Sequence, residues 1–210
     1  MPEFRSFRNS AVVLRHSDWG EADQLLTLYT REQGLVRALA KGARKITSRK
    51  GGHLQPFTQI TVQLAKGRDL LIVTQVETVN AFLPLHDDLE KTGYAAYVIE
   101  LLLRFSYEAE GGNPTLFKLV VETLGRIEKE TDSWLAIRYY EMRLLDAVGF
   151  RPQLFECANC RREILPEDQF VSFSAGGVIC PSCGKGLPNI TKISMETLKY
   201  LRHFQRSSYR

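Results

Sequence analysis

The sequence contains no long hydrophobic run. Its richest apolar stretch, Val98 to Phe105, is interrupted by Glu100 and Arg104, well before the roughly 20 apolar residues that a membrane span requires. The apolar run Ala11 to Leu14 is far too short for the hydrophobic region of a secretory signal peptide. These absences predict a cytoplasmic protein without a membrane segment. Cysteine thiols in that compartment stay reduced.

Recognisable catalytic motifs are also absent. Lys41-Gly42 does not belong to a nucleotide-binding P-loop, because the surrounding glycine and hydroxyl pattern is missing. Neither a cluster of carboxylates nor the His-x-Glu of a zinc deaminase is visible. The four histidines form no His-Glu-x-x-His pair and are scattered along the chain, at His16, His53, His86 and His203. The sequence therefore favours a protein that is not an enzyme, and a metal-dependent nucleic-acid enzyme is the less favoured alternative.

Cysteine is scarce, and every cysteine falls into one of two Cys-x-x-Cys pairs. Nineteen residues separate the pairs, which consist of Cys157 with Cys160 and Cys180 with Cys183. This spacing is typical of a zinc site. Four thiolates would complete the tetrahedral sphere of one structural zinc ion and leave no position for a reactive water. Redox pairs or disulfides are the alternatives, although a thioredoxin-like motif would require a βαβ pattern that is missing here.

Charge is unevenly distributed along the 210 residues, of which 44% are hydrophobic. Residues 1 to 80 carry 12 Lys and Arg against 7 Asp and Glu, a net charge of +5. Residues 81 to 150 have a net charge of −5, and residues 151 to 210 a net charge of +4. Basic ends around an acidic middle indicate that the ends meet an anionic polymer, with ordinary solvated surface as the plainer alternative.

The first part of the chain alternates apolar and polar residues with a period of two, which predicts strands. Gly34 and the segment Gly67-Arg68-Asp69 supply tight connections. Five strands with one longer insertion favour a closed OB-fold barrel over a sandwich, which would need about seven strands. The predicted strands are Ser6 to His16, Gln24 to Thr30, Leu35 to Lys41, Phe57 to Lys66 and Leu70 to Thr78.

The third strand and the loop after it are the candidate nucleic-acid site. Alternation places Arg37 and Lys41 on the outer face, with Ala38 and Ala40 on the inner face. The segment from Lys41 to Gly52 has five Lys or Arg among twelve residues and no acid, which suits a phosphate backbone. The alternative is a solvated flexible loop. The predicted DNA-binding residues are Arg37, Lys41, Arg44, Lys45, Arg49, Lys50 and Arg68.

Aromatic side chains that could stack on bases are few in this part of the chain. Most of its aromatics are expected in the core. Trp19 lies beside Gly20 in a turn-like stretch, and it is the one candidate for an exposed stacking platform.

After Pro84 the hydrophobic period changes to that of a helix. Helices are predicted over His86 to Glu110, from Pro114 to Lys129 behind an Asn113 cap, and over Trp134 to Val148. A strand at Phe170 to Phe173 and the Gly176-Gly177 turn outline a zinc ribbon, and Ser194 caps a terminal helix from Met195 to Gln205.

The predicted fold is therefore α+β, with an OB-fold barrel followed by an all-helical domain that contains an inserted four-cysteine zinc ribbon. The predicted divisions are residues 1–80 for the nucleic-acid-binding barrel, 81–150 for the helical domain, 151–188 for the zinc module and 189–210 for a terminal helix packing on the helical domain.

Short strings along the chain occur in the order that is typical of one bacterial family. They include Ala40-Lys41-Gly42-Ala43-Arg44, Leu54-Gln55-Pro56-Phe57, Gly67-Arg68-Asp69-Leu70, Arg138-Tyr139-Tyr140-Glu141 and Leu144 to Phe150 before the first cysteine pair. In both motif and order, essentially the whole chain resembles the RecO family of recombination mediators. Members of that family generally continue beyond the equivalent of Arg210, so we expect a shorter member or a shortened chain.

The resemblance implies a role without catalysis in recombinational DNA repair. RecO proteins bind single- and double-stranded DNA, anneal complementary strands, form a complex with RecR, contact the single-stranded DNA-binding protein SSB and help load RecA. It also implies that the basic residues of the barrel bind DNA and that zinc lies on the four cysteines. A cytoplasmic, nucleoid-associated location follows.

Two arginines on the third predicted helix are candidates for contacting the acidic, apolar tail of SSB. They are Arg138 and Arg143. The plainer reading is that both face solvent on an amphipathic helix. For the chain as a whole, an RNA-binding accessory protein is the alternative function, because OB surfaces accept either polymer.

Overall fold

The structure, a computed structural model, describes residues 6–108 and 110–209. The chain divides into two units, residues 1–136 and 137–210. Strands and helices are both present in each, so the predicted α+β class is confirmed. The predicted boundaries after residues 80, 150 and 188 stay predictions. No helix within the described ranges has the length and apolar character needed to cross a membrane.

The first unit begins with a closed barrel of five strands, as predicted. The barrel order is β1-β2-β3-β5-β4, and β4 pairs back onto β1. The pairing of β3 with β5 is parallel, while the other four pairings are antiparallel. The strands are β1 Ser6–Trp19, β2 Asp23–Thr30, β3 Gly34–Ala40, β4 Gln59–Lys66 and β5 Leu71–Asn80.

Alternating side chains fill the barrel. Ala38 and Ala40 of β3 are fully buried, whereas Arg37, which directly precedes Ala38, is exposed. The predicted alternation of this strand is therefore confirmed. Burial on one face fixes the register, because a slip by one residue would move Arg37 into the core.

The segment around Gly112, which connects two helices of the first unit, packs against the β2–β3 hairpin of the barrel. Leu35 on β3 forms a parallel bridge with Glu108, and the backbone N–H of Gly112 donates to the carbonyl of Glu32 at 3.0 Å. A Cβ on Gly34 would overlap the carbonyl oxygen of Gly111, and one on Gly112 would overlap the backbone of Glu32. The contact therefore requires glycine on both sides.

Three helices follow β5 within the first unit: α1 Pro84–Asp87, α2 Leu89–Arg104 and α3 Pro114–Lys129. The prediction of one helix from His86 to Glu110 is wrong at both ends. Asp88 is extended and its carboxylate accepts from the backbone N–H of Glu90 and Lys91, so it caps α2. The Asn113 cap of α3 is confirmed by its bond from the N–H of Leu116 at 3.0 Å.

Helix α4, Trp134–Ala147, leads into the second unit, which contains a small sheet of order β7-β6-β8. The predicted strand at Phe170 corresponds to β6, and the predicted cap of α6 is confirmed, since the Ser194 hydroxyl accepts from the N–H of Thr197. Sequence patterns missed β8 and α5. The elements are β6 Gln169–Ser172, β7 Gly177–Ile179, α5 Pro181–Gly184, β8 Ile190–Ile193 and α6 Met195–Arg206.

The terminal helix α6 is hydrogen-bonded to the segment that enters the cysteine module. Arg202 Nε donates to the carbonyl of Leu154 at 2.9 Å, and Gln205 Nε2 donates to that of Pro152 at 2.8 Å. The guanidinium of Arg206 lies 3.6 Å from the ring centroid of Phe155. Leu198 joins the core around buried Cys157, so α6 and the module share one core.

Candidate nucleic-acid interface and metal site

The four cysteines come together in the second unit as the sequence predicts. All four are free thiols, and their Sγ atoms lie within 4.8 Å of one another. The Sγ atoms of Cys160 and Cys180 are 3.9 Å apart. Zn–S bonds of about 2.3 Å in a tetrahedron place sulfurs about 3.8 Å apart. The cluster therefore fits a metal ion bound by four sulfurs.

Backbone hydrogen bonds shape the two loops that carry these thiols. The N–H of Arg161 donates to the carbonyl of Cys157 at 2.9 Å, and the N–H of Gly184 donates to that of Cys180 at 2.9 Å. Between the loops, the N–H of Cys180 donates to the Sγ of Cys157 at 3.4 Å. N–H groups aimed at sulfur favour the thiolate form, which is the form that binds metal.

Two of the thiols have strongly different pKa values. The backbone N–H of Arg162 is the main cause that lowers the pKa of Cys160 to about 6, and neighbouring thiols lower it further. For Cys183, the Asn159 side chain lowers the pKa, but hydrogen bonds with Cys180 and Cys160 outweigh it and raise the pKa to about 11. The remaining protons leave when a cation binds, which makes metal affinity depend on pH.

Most of the predicted DNA-binding residues are exposed around β3 and the loop after it. Within the described part of the chain, five of these side chains make no hydrogen bond or ion pair. They are Arg37, Lys41, Lys45, Arg49 and Arg68. Their charges are thus available to an external anion.

Arg37 and Arg68 reach the same part of the barrel although they lie on different elements. The parallel pairing of β3 with β5 places Ala38 opposite Leu71. Arg37 precedes Ala38, and Arg68 lies in the turn three residues before Leu71. Together with the loop at the end of β3, these two arginines are exposed basic residues of the barrel.

Arg44 plays a different part from its neighbours because it is bonded to the turn between β1 and β2. Its guanidinium lies 3.0 Å from the Asp18 carboxylate and donates to the carbonyls of Gly20 and Glu21 at 3.3 Å. The Asp23 carboxylate accepts from the N–H of Gly42 at 2.7 Å. These contacts anchor the loop.

Lys50 is also held within the first unit. Its Nζ lies 3.4 Å from the carbonyl of Val73, and the residue is half-buried. The predicted role of Lys50 in binding DNA stays a prediction. Its contact with Val73 fixes the far end of the basic loop, residues 41–50, to β5.

The two candidate SSB contacts, Arg138 and Arg143, both bind neighbours within the second unit. Arg138 lies 2.9 Å from the Glu141 carboxylate. Arg143 donates to the carbonyl of Gln205 at 3.1 Å and lies over the ring of Tyr139. Both are partly exposed, with side-chain exposures of 39% and 34%.

Comparison with family models covers nearly the whole chain. Residues 4–82 match the model described as "Recombination protein O N terminal", and residues 86–210 match the one described as "Recombination protein O C terminal". The chain belongs to the RecO family. The closed barrel lies in the first match, and the four cysteines lie in the second.

Curated RecO relatives are similar over nearly the same length. A protein named "DNA repair protein RecO" from Dehalococcoides mccartyi is 37% identical over 207 residues, covering 99% of this chain and 81% of the relative. A protein of the same name from Roseiflexus sp. is 40% identical to this chain, covering 96% of this chain and 70% of the relative. That from Pelotomaculum thermopropionicum is 38% identical, covering 93% and 75%.

Sequence reasoning missed the acids that organise the RecO barrel surface. Asp18 and Asp23 flank a short turn, and their sequence signal is weak because acids in turns are common. The pairing of β1 with β2 brings the two acids together, and the pairing of β2 with β3 brings them to the loop that follows β3.

Proposed function

We propose that this protein is a recombination mediator in recombinational DNA repair and is not an enzyme. It binds single- and double-stranded DNA and anneals complementary strands. Together with RecR, it helps load RecA onto single strands coated with SSB. Membership of the RecO family supports this role. The proposed location is the cytoplasm, at the nucleoid.

The anchored basic loop is the observation that carries the proposal. Lys41, Lys45 and Arg49 are exposed on a segment whose backbone is tied to the β1–β2 turn, and Arg37 and Arg68 extend the same surface. Cations held in fixed positions neutralise phosphates at a smaller entropy cost than a flexible tail does. Phosphate contacts carry little sequence information, which suits a protein that acts on any strand.

The metal in this proposal is one structural zinc ion held by the four cysteines. A sphere closed by four sulfurs leaves no position for water, so the ion would stabilise the fold and perform no hydrolysis. Cys157 is buried in the core shared with Leu154 and Leu198. Zinc bound there would hold α6 against the module.

SSB would contribute its acidic, apolar tail. Arg138 and Arg143 remain the candidates for that contact. The tail carboxylates would have to compete with Glu141 and with the Gln205 carbonyl, which the two arginines bind in the free protein. The RecR and RecA steps rest on family membership alone.

Fluorescence-monitored annealing of complementary DNA strands coated with SSB tests the proposed function. We expect this protein to accelerate annealing without any nucleoside triphosphate. A matched pair of RNA strands, added as competitor, separates a DNA mediator from an RNA-binding accessory protein. Annealing at the spontaneous rate, or annealing that depends on nucleotide hydrolysis, would contradict the proposal.

A further inference from the structure

Trp19 is an exposed aromatic residue at the end of β1. The indole is 49% exposed, and Trp19 pairs with Asp23 across the β1–β2 turn. Large apolar side chains at such a position lose the stabilisation that burial would give them. A surface indole is, however, well suited to stacking on a base.

The basic loop is bonded to the residues on either side of this indole. The Arg44 guanidinium contacts the Asp18 carboxylate, which precedes Trp19, and the Gly20 carbonyl, which follows it. The N–H of Arg44 also donates to the carbonyl of Ala22 at 2.9 Å. The residues on both sides of Trp19 are thereby fixed to the basic loop.

We infer that Trp19 is a base-stacking residue for single-stranded DNA and that Arg44 is the positioning residue that fixes it beside the basic loop. This inference rests on the proposed function and deepens it. Phosphate contacts alone bind single and double strands by charge. Stacking on Trp19 requires an unpaired base, because the faces of bases inside a duplex are already stacked. Trp19 therefore gives the barrel a preference for single strands.

The chain has two tryptophans, Trp19 and Trp134, so one substitution is enough to let fluorescence observe Trp19 alone. Replacement Trp134→Phe leaves Trp19 as the sole indole. We expect a thymine-only strand to quench this emission at saturation, and a strand of the same length with abasic sugars to bind without quenching it. The Trp19→Phe variant, which keeps Trp134, is the control and should show no quenching with either strand.

Affinity gives a second readout. We expect Trp19→Ala to weaken binding of the thymine strand about 5- to 100-fold, the range measured for loss of one stacked base. Affinity for the abasic strand and for a duplex should change by less than about twofold, because their contacts are to phosphate. Trp19→Phe should restore most of the affinity lost in Trp19→Ala.

The role of Arg44 is tested by removing its acidic partner. Asp18→Ala makes the surface more positive, so a purely electrostatic surface would bind DNA more tightly with unchanged quenching. Positioning predicts that quenching of Trp19 at saturation falls, in the Trp134→Phe background. Quenching that is unchanged or larger would overturn the positioning role.

The stacking inference and the proposed function fail in different ways. If fluorescence anisotropy of a labelled thymine strand shows binding while Trp19 emission stays constant, the stacking inference is wrong and DNA binding stands. If neither DNA strand nor duplex binds, the proposed function is wrong as well. The quenching experiment leaves Trp19 unchanged, so it does not depend on the folding of a Trp19 variant.

Discussion

Arg44 and Lys45 are adjacent basic residues in the same loop, yet their surroundings differ. The guanidinium of Arg44 is bound to Asp18 and to two carbonyls, whereas the side chain of Lys45 makes no such bond in the described part of the chain. Arg can bridge several acceptors because its donors lie in a fixed planar fork. The sequence places both residues in one basic segment, and only the three-dimensional pairing separates an anchor from a free cation.

Substitution of a single cysteine is the clearest test of zinc binding. We expect Cys157→Ser to release zinc and to lower the melting temperature, because structural zinc contributes folding free energy directly. Cys157 is fully buried and belongs to the core of the second unit. Metal analysis by mass spectrometry and thermal unfolding, both in reducing buffer, measure the two effects.

Ser182→Ala is the matched control for that substitution, because Ser182 is exposed and lies between Cys180 and Cys183. It should retain zinc and the melting temperature of the unsubstituted protein. Absence of zinc from reduced, unsubstituted protein, or equal stability of Cys157→Ser, would refute the zinc assignment.

At the scale of elements, the barrel, the cysteine pairs and the caps of α3 and α6 were predictable from local patterns. Alternation and turn residues determine the strands locally, and the Cys-x-x-Cys spacing specifies its own site. The predicted helix through Glu110 failed because Leu35 of β3 pairs with Glu108. A contact over seventy residues of chain has no local signal. The short strand β8 was also missed, because its four residues form a strand by pairing with β6 and carry no local strand pattern.

Gly112 provides the test of this long-range contact. We expect Gly112→Ala to destabilise the protein by about 1–3 kcal/mol, because the added methyl would overlap the backbone of Arg31 and Glu32. Urea denaturation measures the change in the free energy of unfolding.

Gly93→Ala is the control for Gly112→Ala. Gly93 lies inside α2 with nothing within 4 Å of a Cβ, so the substitution should stabilise by about 0.5–1 kcal/mol through helix propensity. If Gly112→Ala unfolds at the same urea concentration as the unsubstituted protein, the close contact of Gly112 with the backbone of Arg31 and Glu32 is refuted.

At the scale of the whole molecule, charge alternates along the chain as +5, −5 and +4. The basic first segment forms the barrel, and the acidic middle forms α1 to α4. This distribution predicts that an anionic polymer binds the barrel, and that stays a prediction. Charge along the sequence does not distinguish cations that face solvent from those that hold the loop in place, because that difference depends on the contacts with Asp18 and Val73.

The salt dependence of DNA affinity tests whether the exposed cations of the loop hold phosphates. The informative variant combines Lys41→Gln, Lys45→Gln and Arg49→Gln, which leaves the anchor Arg44 intact. A control with the same charge change combines Lys118→Gln, Lys129→Gln and Lys199→Gln at exposed helical positions. Both should retain the stability of the unsubstituted protein, because exposed charges contribute little to folding.

The decisive measurement is the slope of log affinity against log salt concentration for a single strand. Loss of three phosphate contacts should flatten this slope by about 2 units in the loop variant, while the control keeps the slope of the unsubstituted protein. An unchanged slope in the loop variant, or an equal flattening in the control, would contradict the assignment of DNA binding to this loop.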